Sequence, residues 1–84
     1  MNRTFYLRKY IEAIKFCPDE DKETCSKLHS NLANVEYQLG HIEAAFMAAM
    51  KALELDESNA KANHWIKMIE TKIQESPLVK DEKN

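Results

Sequence analysis

Residues 32–59, LANVEYQLGHIEAAFMAAMKALELDESN, constrain the fold of this chain more than any other stretch. A long apolar-periodic segment ends at Gly40, a second begins at once, and the polar run Asp56-Glu57-Ser58-Asn59 stops it. Glycine readily takes the left-handed conformation that closes a helix, so the pattern predicts two helices joined by a tight turn at Gly40. In the second segment Ala44, Ala45, Ala48, Ala49 and Ala52 recur at helical spacing and keep one face nearly flat. A flat face admits another helix at close range. A hairpin of this kind buries its stripes against further helices, which points to a stacked array and to binding rather than catalysis.

The remaining chain reads as two more helices. Over about 3–16, Leu7, Tyr10, Ile11 and Ile14 form one stripe, and Tyr6, Tyr10 and Ala13 widen it. Pro18 ends that helix, and Asp19, Glu20 and Asp21 place carboxylates at the start of the next, over about 20–39. Leu28, Leu32, Val35 and Leu39 form its main stripe, with Ala33 and Tyr37 alongside. The third helix, about 41–55, carries Phe46, Met50 and Leu53 opposite its alanines, so it is expected to be sandwiched between neighbours. Ser58 or Asp56 is suited to cap the fourth, about 59–75, whose bulky residues are Trp65, Ile66, Met68 and Ile69. Short connections turn successive helices antiparallel, giving an all-α array of four helices. One domain over 1–76 is expected, followed by a polar, solvated tail over 77–84.

Composition narrows the function classes. A net charge of −2 lacks the basic footprint of a nucleic-acid binder. No run is long and apolar enough for a membrane span, and no apolar signal core stands at the N-terminus, which favours a cytoplasmic chain. On that reading Cys17 and Cys25, which flank a polar turn, are expected to be free thiols. Phosphate loops, nucleophile elbows and His-Glu-x-x-His helices are all missing, so an enzyme, a cofactor and a metal are not expected. Cys25 and His29, at i and i+4 with Cys17 nearby, leave a thiol- or metal-dependent catalyst as a remote alternative that lacks a fourth ligand. His41 and His64 read as surface residues, and Met47, Met50 and Met68 as core filling. The basic residues Arg3, Arg8, Lys9 and Lys15 read as a solvated flank that could also meet an acidic partner.

Internal periodicity adds a resemblance. The segment Ala13-Ile14-Lys15-Phe16-Cys17-Pro18 recurs 39 residues later as Ala52-Leu53-Glu54-Leu55-Asp56-Glu57. Residues 26–59 resemble one repeat of the tetratricopeptide family, a helix–turn–helix unit of about 34 residues. Leu32 and Ala33 match its Leu-Gly pair, Tyr37 its aromatic zone and Gly40 its turn; Ala45 and Ala52 match its small positions, and KALELD matches its usual ending. His29, Glu57 and Ala49 depart from the usual Trp, Pro and bulky aromatic. Residues 21–25 resemble the extra turn of chaperone-binding and immunophilin-type members. The outer helices look like half-repeats, with Tyr6 where a small residue normally admits a partner helix.

The resemblance implies a protein–protein interaction module, an adaptor or scaffold. Its concave surface would carry Lys27, Ser30, Asn31, Asn34 and Gln38 from the second helix, with Lys61, His64, Trp65 and Met68 from the fourth. Some members clamp the C-terminal carboxylate of heat-shock chaperones. Asn31 and Lys61 match two of that clamp's groups, Trp65 stands at its Arg position, and the helix for its first Lys-Asn pair is missing. A receptor for an acidic C-terminal peptide is therefore the alternative reading. Half-repeats at both ends imply either that the outer helices cap the array or that a second copy of the chain completes it, a homo-oligomer with Tyr6, Tyr10 and Ile14 as the self-association stripe.

Overall fold

The computed structural model describes residues 3–74, so residues 1–2 and the expected tail over 77–84 lie outside the described part. Four α-helices and no strand are found among the described residues: α1 (Arg3–Lys15), α2 (Lys22–Gln38), α3 (Ile42–Leu55) and α4 (Ala60–Gln74). The fold is all-α. α2 and α3 form the closest pair; α4 packs on both of them, while α1 packs on α2 alone.

Local chemistry explains the boundaries. The Asp21 carboxylate accepts the Thr24 N–H at 3.3 Å and caps α2, as the acidic run predicts. Gly40, with φ of +86°, is left-handed. That conformation lets the Gly40 N–H reach Tyr37 O at 3.0 Å and the His41 N–H reach Glu36 O at 2.9 Å, satisfying two of the orphan carbonyls of α2. The expected caps of α4 are corrected. Asn59 holds that position, its side-chain oxygen accepting the Ala62 N–H at 3.1 Å. Asp56 instead accepts both the backbone N–H and the hydroxyl of Ser58, at 3.0 and 2.6 Å, and so closes its own turn.

The core is built around the flat face of α3. Ala45, Ala48, Ala49 and Ala52 are buried, as are Ala33 of α2 and Ala62 and Ile69 of α4. Leu32, Trp65 and Ile66 pack around Ala33, Ala48 and Ala49. Few large side chains are fully enclosed, so closeness of helix approach supplies most of the packing. Of the two buried serines of α2, Ser26 and Ser30, the first bridges to the neighbouring elements. The buried Ser26 hydroxyl donates to Ala52 O at 2.7 Å and accepts from Asn59 Nδ2 at 2.8 Å.

The opposite face of α3 departs from expectation. Met47 is 71% and Met50 48% exposed, and Met68 on α4 is 39% exposed, so these methionines do not fill a core. No helix among the described residues covers the Phe46, Met50 and Leu53 side, because α1 stops at α2 and α4 packs elsewhere.

A further correction concerns the thiols. Cys17 and Cys25 are joined in a disulfide, with Cα atoms 5.9 Å apart. The bend at Pro18 and the start of α2 at Lys22 bring the connection back on itself, within the range a disulfide spans. α1 itself has no fully buried residue.

Candidate peptide-binding groove

One groove of about 350 Å³ runs between the N-terminal halves of α2 and α4. Lys27 and Asn31 line it from α2, and Lys61 lines it from α4, with Glu23, Asp56 and Asn59 completing the rim. Helical spacing aligns Glu23, Lys27 and Asn31 on one face of α2. The cap at Asn59 fixes where α4 begins, and so sets Lys61 opposite them.

The electrostatics are balanced. Lys27 pairs with Glu23 at 3.7 Å, both side chains well exposed. The Ser58 hydroxyl and backbone N–H hold the Asp56 carboxyl below its ordinary range, with a smaller contribution from Lys27. Lys61 has no ion-pair partner among the described residues. Asn31 is half-buried, with an amide able to donate and accept together. The arrangement can hold an extended backbone through Asn31 and an anionic group through Lys61.

Of the other expected binding residues, only Ser30 borders this groove. Asn34 and His64 are exposed and do not line this groove. Trp65 is half-buried against the alanine core, its ring 5.3 Å from Tyr37 and 5.3 Å from His64. Gln38 is exposed. Ser30 is lost as a ligand: it is 2% exposed and its hydroxyl already donates to Lys27 O at 2.9 Å. Sequence reasoning missed Glu23 and Asn59. The i, i+4 spacing of Glu23 and Lys27 would have found the first, whereas Asn59 joins the site through a contact 33 residues distant.

Tyr6, Tyr10 and Ile14 are half-buried, whereas Phe5, Ile11 and Phe16 are the exposed apolar residues at this end of the chain. Lys9 lies 5.4 Å from the Phe5 ring centroid. His41 has a role that the sequence does not suggest: its Nδ1 meets Glu36 Oε1 at 2.7 Å, reinforcing the Gly40 turn.

A second cluster surrounds the disulfide. Asp19, Lys22, His29 and Lys51 share a pocket with Cys17 and Cys25. Burial, and secondarily Lys51, pushes the His29 pKa below its ordinary value. With both sulfurs paired there is no thiolate to ligate metal, and no group of three or more His, Cys, Asp or Glu is placed to hold one among the described residues. No described helix is long and apolar enough to cross a membrane. Comparison of the chain with protein-family models, with curated proteins and with solved structures gives no match.

Proposed function

We propose that this chain is a protein–protein interaction module of tetratricopeptide type, an adaptor that takes an extended peptide segment between α2 and α4. The observation that supports this reading is the shared groove of Lys27, Asn31 and Lys61. Each comes from a position that the repeat register assigns to the binding surface. The chemistry suits a peptide: an amide for its backbone, and one ammonium that no carboxylate among the described residues engages.

The unengaged Lys61 favours a peptide ending in acidic residues, the ligand class of the co-chaperone-like alternative. Titration of a labelled acidic C-terminal peptide, with a neutral peptide as control, tests it. Charge-assisted bonds of about 1.5–3 kcal/mol imply losses on the order of 10- to 100-fold for Lys61→Ala. Asn31→Ala should weaken binding less. Affinity unchanged in both variants would reject the groove.

Self-association is the second reading, supported by exposed Phe5 and Ile11 on an outer helix. Sedimentation across a concentration range decides it. A strict monomer at high concentration removes the proposal.

A further inference from the structure

We infer that Cys17–Cys25 is a thiol–disulfide exchange site, opened by a dithiol reductant, and that its opening releases α1 from the rest of the fold. The disulfide stands apart from the peptide groove, because it borders a separate pocket whose lining shares no residue with that groove, and because α1 is otherwise weakly held.

Access comes first. Cys17 is half-buried, whereas Cys25 is 8% exposed, so an incoming thiolate meets Cys17 first. The bond borders a pocket of about 230 Å³ that also carries Asp19, Lys22, His29 and Lys51. A reductant of two thiols and a short spacer fits such an opening.

The step then follows. A thiolate of the reductant bonds to Cys17 Sγ, the protein S–S bond breaks, and its electron pair leaves on Cys25 Sγ. Cys25 lies at the end of the first turn of α2, where the helix N-terminus and the neighbouring Lys22 and Lys51 favour a thiolate. Once protonated, its thiol has an acceptor in place, since Cys25 Sγ lies 3.3 Å from Pro18 O. The second thiolate of the reductant then attacks its own sulfur in the mixed disulfide and expels Cys17, which takes a proton. Two electrons and two protons pass to the protein, and the dithiol becomes a cyclic disulfide.

The consequence lies in α1. This 13-residue helix buries no residue completely and packs on α2 alone. A helix of that length is marginal in isolation. The disulfide ties the residues just after α1 to the first turn of α2, and so keeps α1 at high local concentration over its docking face. Cutting the bond lets α1 drift on the whole of the 16–21 connection.

Amide hydrogen exchange on the full chain, oxidised and after excess dithiothreitol, tests the inference, with mass analysis after alkylation to count open thiols. The Cys17→Ser/Cys25→Ser double variant supplies a permanently open form. Reduction is expected to speed exchange in residues 3–15 roughly tenfold or more, on a loop-closure argument, while amides near Ala33 and Ala49 keep their rates. Reoxidation should restore the slow rates. Unchanged α1 exchange after verified reduction would overturn the inference, as would loss of protection throughout the chain together. Free thiols persisting under an oxidising glutathione buffer would overturn it too.

Discussion

Ser26 and Asn59 meet at 2.8 Å across 33 residues of chain, and the contact joins the start of α2 to the cap of α4. The Ser26 hydroxyl in turn donates a hydrogen bond to Ala52 O, which also accepts the Asp56 N–H at 2.9 Å. Both acceptor sites of one carbonyl at the end of α3 are thus used. Three helices are registered by a single hydroxyl.

Replacing that hydroxyl therefore costs more than one hydrogen bond. Ser26→Ala leaves Asn59 Nδ2 without its acceptor, and urea unfolding should show a loss of about 1–3 kcal/mol. Asn59→Ala removes the cap of α4 as well and should cost about as much. The double variant should be less destabilised than the sum, because the two side chains share one interaction.

Gly40 offers a cleaner test of backbone strain. A Cβ there would meet nothing within 4 Å, so any cost of Gly40→Ala comes from the φ of +86°. Thermal unfolding should register about 1–2 kcal/mol. Asn, which tolerates the left-handed region, should recover part of that loss.

The interface around Ala49 should resist growth. Ala49 is fully buried beside Ala33 and Ala48, and Ala49→Leu must push α3 away from its neighbours. A loss of about 1–3 kcal/mol, or more, is expected from denaturant titration. Ile69→Ala fails in the other direction, through a cavity, by about 2–5 kcal/mol.

His29 makes stability depend on pH. Its folded pKa is depressed by burial, and by Lys51, relative to about 6.5 in the unfolded chain. The unfolded state therefore binds the proton first. The contribution of neutral His29 is fully present above pH ~6.5 and is lost as pH falls through the lower folded value. Lys51 of α3 faces the same pocket, as do Asp19 and Lys22 of the preceding connection and helix start, and its charge widens the window that burial opens. Urea midpoints between pH 8 and pH 5 should fall in the native chain. In His29→Gln the decline over that window should be smaller.

The helices and the Gly40 turn are legible in the sequence because each depends on local spacing. All four predicted segments fall within about two residues of the observed bounds over the described chain. Ala45, Ala48, Ala49 and Ala52 are buried for the reason their spacing gives. The open side of α3 was not legible, since periodicity marks an apolar stripe without saying whether another helix covers it. The disulfide was hidden by an inference about compartment rather than by anything in the residues. Ser26 was hidden because a buried hydroxyl is defined by partners at Ala52 and Asn59. In the groove, Lys27, Asn31 and Lys61 could be grouped from the repeat register, whereas the burial of Trp65 depends on Tyr37 and the alanine core.

The flat face of α3 also determines how this molecule can be mapped by mutation. Truncation to alanine, the usual way of finding residues that matter, changes nothing at Ala33, Ala45, Ala48, Ala49 or Ala52. A scan of that kind would sense neighbours such as Ser26, Leu32 and Trp65 but would report the alanine face itself as blank. Its information is carried by atoms that are missing, so only substitutions that add volume can read it.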